Sequence, residues 1–340
     1  MASLLGWVKS PFRRVPSPPM RFPTSGFETV PASEILEEEG FAELKKVQYY
    51  YPVNIGDVFS SQYQVVGKLG FGVIYLNTRG HQYVTLKIYT RDQANGEEFQ
   101  IYKHLNQDAF TIPRPGGDHP CLVQKPMWES FRDLLYRNPS HRFTEDLLRF
   151  GLMQVFLALD YLHTECKVIH TDIKGDNILQ EIEDSSVLEA FAKAEMDNPE
   201  HEAQPNIYRS PEMMLKAGWS YPIDIWNVGA MIWDLLEGKH MFYGNDPDGK
   251  GYSTRAHLAE VIGLLVPPPL DLLKKGRRSA EFFTEDGQWK QDVEMPIPQG
   301  RSLETSEEFL EGRNKEMFLE FDRKTAKELL EDPWLNGRVE

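Results

Sequence analysis

An α+β fold, with a small antiparallel sheet in the first part and a larger helical second part, is what this sequence predicts. Three observations predict it. Short β-type runs punctuated by glycine fill the stretch from Tyr63 to Tyr89. After Met127 the pattern changes to apolar residues at steps of three and four, the stripe of a helix with one buried face. No internal repeat runs through the chain.

The elements follow in chain order. Residues 1–45 are proline-rich and then acidic, with Glu37, Glu38 and Glu39 in a row and no sustained periodicity, which predicts a disordered tail. Lys9, Arg13, Arg14 and Arg21 precede the first acid, Glu28, in the manner of a targeting leader, but the proline run from Pro11 to Pro23 favours the tail. Residues 46–127 form the β part. Strands are expected at Tyr63 to Leu69, Val73 to Asn77 and Tyr83 to Tyr89, with Gly70, Gly72 and Gly80 at the turns, then a helix from Glu97 to Leu105 and a strand at Cys121 to Val123. Gln124 to Met127 is the connector. Residues 128–340 form the helical part. Leu148, Leu152, Val155, Leu159 and Leu162 mark a helix within Glu145 to His163. Ile223 to Glu237 is a second, stopped by Gly238, and Thr325 to Leu330 is a third, halted by Pro333.

Composition narrows the function classes. The 340 residues are 41% hydrophobic, enough for a full core. A formal charge of −15, from 37 basic and 52 acidic residues, argues against direct nucleic-acid binding and for basic partners. The two cysteines, Cys121 and Cys166, give neither a disulfide framework nor a metal-site spacing, which predicts a reducing compartment. No apolar run approaches the roughly 18 residues of a membrane span, so no membrane is expected.

The chemistry centres on Val168 to Leu179, V-I-H-T-D-I-K-G-D-N-I-L. Four polar residues, His170, Asp172, Lys174 and Asn177, sit in register inside an apolar frame. Their spacing, H-x-D-x-K-x-x-N, resembles the catalytic loop of protein kinases, and small-molecule kinases share part of it. An in-line phosphoryl transfer needs a hydroxyl, a metal and a countercharge placed around one point. The resemblance implies that Asp172 accepts the hydroxyl proton, Lys174 neutralises the γ-phosphate of ATP, Asn177 holds Mg²⁺ and His170 is structural.

Other segments fit the same scheme. Leu69-Gly70-Phe71-Gly72-Val73 would let backbone amides approach the ATP phosphates, although an ordinary hairpin turn reads the same way. Lys87 in V-T-L-K matches the lysine that grips the phosphates, and Glu98 on the next helix is its expected partner. Within the connector, Gln124, Lys125 and Met127 would carry the adenine ring through backbone groups, with Pro126 lacking an N–H; a simple turn is the alternative. Tyr208-Arg209-Ser210-Pro211-Glu212 is similar to the A-P-E signature, with Arg323 as the expected partner of Glu212. Asp224 opens a helix, where it would cap amides and hold the catalytic loop. Small-molecule kinases lack this set, so a two-lobed protein-kinase-like fold is expected.

A closer resemblance rests on three separated places. H-T-D-I-K with Thr171 in place of the usual arginine, Y-P-V-N-I-G-D-V-F ahead of the first strand, and Y-R-S-P-E together look like the SR-protein kinase family in its fungal form, over about Tyr49 to Leu335. That resemblance implies a monomeric serine/threonine kinase using ATP and Mg²⁺. Its partners would be basic Arg/Ser-rich proteins such as splicing factors, in cytoplasm and nucleus, with a role in regulating mRNA splicing. Without the loop arginine no activation-loop phosphate would be bound, implying constitutive activity.

The pattern also breaks. No D-F-G follows Asn177; the metal-binding aspartate and most of the activation segment should fall near Pro199 and Glu200, and neither Asp184 nor Asp197 has the right context to replace it. The stretch from Gly70 to Lys87 is about five residues short of the pattern. F-L-E-F jumps to D-R-K-T-A at Asp322, where a helical turn or two is expected. Three clean gaps beside well-matched sequence look like missing coding pieces, from a splice form or an erroneous gene model. A catalytically impaired pseudokinase, acting as a basic-peptide binding module, is the alternative reading.

Overall fold

The computed structural model describes residues 51, 53–69, 72–77, 82–90, 97–105, 109–115, 117–182, 207–320 and 324–337. The N-terminal tail, the tip Gly70 and Phe71, Asp184, Asp197 and Arg323 lie outside the described residues. The chain divides into two compact units, one built on residues up to Trp128 and the other running from Glu129 to Gln180 and from Ala203 onward.

The first unit is a six-stranded antiparallel sheet. Its strands are β1 (Val58–Phe59), β2 (Tyr63–Leu69), β3 (Gly72–Asn77), β4 (Gln82–Ile88), β5 (Ala109–Ile112) and β6 (His119–Gln124), in the order β1-β2-β3-β4-β6-β5. Helix α1 (Glu97–Leu105) lies between β4 and β5 in sequence and packs against β6. Alternation decides the faces. Val84 and Leu86 turn to one side and join Phe59, Tyr63, Val65, Ile112, Cys121 and Val123 in a buried layer. On the other side, Leu122 packs with Tyr89 and with Phe99 of α1. β6 is buried on both faces, which is why it reads as an unbroken apolar run around Cys121, whose thiol burial pushes up in pKa.

The second unit is helical. Helix α2 (Phe131–Arg137) begins with a capping box between Ser130 and Asp133. Helix α3 (Glu145–Tyr161), capped by Thr144, buries Leu148, Leu152, Val155, Phe156 and Leu159. Past Tyr161 the backbone widens into a π turn, Leu162–Cys166, closed by Lys167 in the left-handed region. Helix α4 (Pro211–Met214) is short; helix α5 (Pro222–Glu237) is buried along most of its length and ends at Gly238 with φ of 67°. A side chain at Gly238 would also meet the carbonyl oxygen of His141 at 2.6 Å, so glycine is required there twice over.

Val228, Met231, Ile232 and Leu235 of α5 share one core with the inner stripe of α3. The chain's last helix (Ala326–Leu330), capped by Thr325, closes this core with Phe318 and the fully buried Trp334, whose rings are 5.0 Å apart. Sequence on both sides of the junction at Phe321 and Asp322 therefore reaches the core. A second cluster, around Leu215, Phe242, Leu258 and Phe283, is built by α4, helix α6 (Thr254–Leu264) and the short helices and loops that follow. The architecture is the small antiparallel β unit and larger helical unit that the sequence predicts. Strand β5, helix α2 and helix α6 lie outside what the sequence pattern predicts.

Candidate active site

The loop from His170 to Asn177 is held from below by one carboxylate. Asp224, on the first turn of α5, is fully buried. Its Oδ2 accepts from the His170 N–H at 2.8 Å, and its Oδ1 accepts from the Thr171 N–H at 2.7 Å. His163, buried in the π turn, brings Nε2 to within 2.8 Å of the same Oδ2. The expectation that Asp224 also caps its own helix needs correction. Helix α5 starts at Tyr221 and Pro222 without a side-chain cap, and the Asp224 oxygens point at the loop instead.

Those bonds have a purpose in the backbone. Thr171 has φ of 70°, in the left-handed region, where a β-branched residue is unfavourable by about 1–3 kcal/mol. Two charge-assisted bonds to adjacent amides offset that cost and fix the turn. The Asp172 N–H then donates to Nδ1 of His170 at 3.3 Å, which tucks the histidine ring back over the turn.

The turn presents Asp172 beside its two partners. Asn177, on the 3₁₀ turn Gly175–Asn177, donates through Nδ2 to the Asp172 carbonyl oxygen at 2.7 Å and to its Oδ2 at 2.8 Å. The Lys174 ammonium lies 3.4 Å from the same Oδ2. Asp172, Lys174, Asn177 and His170 are thus brought together within one short stretch of backbone. The carboxylate is aligned by two donors and can accept a proton from a hydroxyl set against it. Arg132 of α2 braces the loop from the side through a 2.9 Å ion pair with Asp176.

Mg²⁺ fits this loop poorly. It takes oxygen ligands in octahedral array, normally carboxylates with phosphate oxygens. With its amide nitrogen committed to Asp172, Asn177 offers one neutral oxygen. No group of three or more His, Cys, Asp or Glu suited to a metal occurs among the described residues. The described part of the loop alone does not build the site.

In the β unit, Lys87 stands on β4 directly opposite Leu122, on the face that α1 covers. Its ammonium is 5.0 Å from the Tyr89 ring centroid and 5.7 Å from that of Tyr102, cation–π distances that hold the side chain on this face. Glu98 belongs to α1, but its side chain is outside the described residues. Leu69, Gly72 and Val73 are the paired ends of the β2–β3 hairpin, with Leu69 opposite Gly72. Gln124 ends β6 opposite Thr85, Lys125 is exposed and ion-paired with Glu181, and Pro126 is buried just before Met127. Glu212 lies in α4, where its carbonyl accepts from the Ala217 N–H at 2.9 Å.

Sequence reasoning missed a second carboxylate on α5. Asp234 accepts from the Tyr208 hydroxyl at 2.5 Å and from Nδ1 of His240 at 2.8 Å, while Asn227 donates to the Tyr208 carbonyl at 2.6 Å. Burial, then the Asp234 charge, pushes the Tyr208 phenol pKa up. The hydrogen bond to Asp234 raises that of His240. These bonds anchor the segment that runs into Arg209-Ser210-Pro211-Glu212. His163 was missed as well; a histidine following an apolar stripe was its only signal.

Comparison with known proteins agrees with this geometry. The protein kinase domain model matches residues 62–335. A serine/threonine protein kinase of Aspergillus fumigatus is 37% identical over 388 aligned positions, covering 95% of this chain and 97% of the relative. That alignment is longer than the 340 residues of this chain, so part of it stands opposite gaps here. The serine/threonine-protein kinase SRPK of Physarum polycephalum is 26% identical over 335 positions, covering 75% of this chain and 78% of the relative. Dual specificity tyrosine-phosphorylation-regulated kinase 3 of Mus musculus is 28% identical over 247 positions, covering 66% of this chain and 40% of the relative. The chain belongs to the protein kinase family and is, by family, a protein serine/threonine kinase.

Proposed function

We propose that the lineage activity of this chain is transfer of the ATP γ-phosphate to serine in basic, Arg/Ser-rich proteins, in the manner of SR-protein kinases. The observation that carries the phosphotransfer is the Asp172 carboxylate aligned by Asn177 and Lys174 on a turn fixed by Asp224. The substrate hydroxyl oxygen bonds to the γ-phosphorus as the β–γ bridging bond breaks; its proton passes to Asp172 and ADP departs. Three features support the substrate class: the likeness to a kinase named SRPK, the net charge of −15, and Thr171 where kinases with a phosphorylated activation loop carry arginine. A carboxylate-rich protein attracts and orients arginine-rich peptide. Cytoplasm and nucleus are the expected compartments; no helix among the described residues is long and apolar enough to cross a membrane.

A second reading has its own observation. No D-F-G carboxylate follows Asn177, so a chain expressed as written would bind basic peptide without turnover. Incubating the purified chain with Mg²⁺, labelled ATP and an Arg/Ser peptide separates the two. Label that disappears in Asp172→Asn supports the kinase. Peptide bound at low salt with no label above that variant supports the binding module. The transcript across Val73/Ile74, Pro199/Glu200 and Phe321/Asp322 then decides whether in-frame codons restore the missing pieces.

A further inference from the structure

The outer face of α3 carries a second apolar stripe. Leu147, Phe150, Met153, Leu157 and Tyr161 are 37%, 64%, 36%, 52% and 51% exposed, while the helix buries Leu148, Leu152, Val155 and Leu159 on its inner face. Leu147, Phe150, Gln154, Leu157 and Tyr161 follow each other at steps of three, four, three and four. That is the a/d spacing of a heptad seam, with one polar residue, Gln154, at its centre. Between Asp146 and Asp160 the only charged residue is Arg149, whose guanidinium is turned away against Trp334, 5.0 Å from the ring centroid. A solvent-facing helix surface normally alternates charges, so this one is built for contact.

We propose that this seam is the centre of a homodimer interface, with α3 packed antiparallel against α3 of a second copy. The exposed area and the symmetry of the seam both favour a second copy as its occupant. The exposed fractions amount to about 2.4 whole side chains, or roughly 500 Å² at about 200 Å² each. A standard interface takes about 800 Å² from each partner, of which roughly 60% is apolar. The seam supplies that apolar share.

The seam is also self-complementary. A two-fold axis through Gln154 carries Leu147 onto Tyr161 of the other copy and Phe150 onto the neighbourhood of Leu157, so each large side chain meets another. Gln154 then meets its own symmetry mate, where paired side-chain amides satisfy each other and fix the register. Antiparallel pairing also separates the two acidic first turns, Glu145 and Asp146, which a parallel arrangement would set side by side. The family resemblance implies a monomer; the seam points the other way.

Sedimentation equilibrium of the full 340-residue chain tests this, with Phe150→Glu, Leu157→Lys and the double variant. The substituted side chains face outward, and thermal melting of each variant checks that the fold is kept. The wild type is expected to be dimeric at about 10 µM, with each single substitution weakening the dimer by roughly 100-fold or more. In the double variant the carboxylate introduced on each copy faces the ammonium introduced on the other, so it dimerises more tightly than either single variant. A wild type monomeric to roughly 100 µM overturns the proposal, including the case in which the N-terminal residues cover the seam. So does a dimer untouched by Phe150→Glu, or a double variant no tighter than the singles.

Discussion

Two carboxylates on α5, Asp224 near its start and Asp234 near its end, do similar work by different means. Asp224 binds backbone amides of His170 and Thr171 together with the His163 ring. Asp234 binds two side chains, the Tyr208 hydroxyl and the His240 imidazole. Each gathers a loop onto the same helix. A bond to backbone holds the loop whatever residues it carries, so Asp224 tolerates Thr171 where other kinases have arginine. A bond to a side chain holds only while Tyr208 and His240 keep their identities. The two amides at His170 and Thr171 therefore depend on one carboxylate, whereas the Tyr208 segment is held by the side-chain bonds of Asp234 to Tyr208 and His240 together with the bond from Asn227 to the Tyr208 carbonyl.

Removing Asp224 gives the largest effect. Asp224→Ala leaves two amides and a buried histidine without their acceptor and releases Thr171 from its left-handed conformation. A loss of about 3–5 kcal/mol is expected. It reads out as a lower urea midpoint, and amide exchange at His170 and Thr171 should accelerate more than elsewhere in the core. Slow exchange at those two amides in the variant would show that something other than Asp224 fixes the turn.

Asp234→Ala should cost less, about 2–3 kcal/mol, because the Tyr208 hydroxyl and His240 ring can partly turn to water. Tyr208→Phe, which removes one bond and keeps the ring, isolates about 1 kcal/mol of that. The double variant tests the contrast. If Asp234 acts through Tyr208, the two losses will not add; full additivity would mean that the 2.5 Å contact carries no coupling.

The same contrast explains what was legible. Asp224 could be placed from sequence because D-I-W-N-V-G stands at a helix start and its partner loop has a fixed motif. Asp234 could not, since its partners lie at separations of 26 and 6 residues with no pattern joining them. The antiparallel strands β2 to β4 were readable from short β-type runs and glycine turns. Strand β5, four residues beside a proline-rich loop, was too short to show a period. The outer seam of α3 was hidden for a different reason. Leu147 and Leu148, or Leu157 and Leu159, belong to opposite faces of a helix that is apolar on both, and only burial tells the core face from the free one. The metal site was not legible because no D-F-G motif follows Asn177 in the sequence.

The smallest effect depends on pH. His240 hydrogen-bonds Asp234, and that bond raises its pKa above the ordinary 6.5, against the lowering effects of burial and of Arg132. A histidine whose folded pKa exceeds its unfolded value stabilises the fold while it is protonated. Its contribution is fully present below the unfolded value of 6.5 and is lost as pH rises through the higher folded value. His240→Gln should therefore cost most stability on the acid side of 6.5 and progressively less above it, read as the difference in urea midpoint between variant and wild type across that range. No corresponding fade is expected for Tyr208→Phe, whose phenol is held neutral throughout by burial and by the Asp234 charge. Two partners of one carboxylate would then be separated by pH alone. A His240→Gln difference that stays level with pH would mean that the imidazole is neutral against Asp234, and that this loop is held by hydrogen bonding without charge.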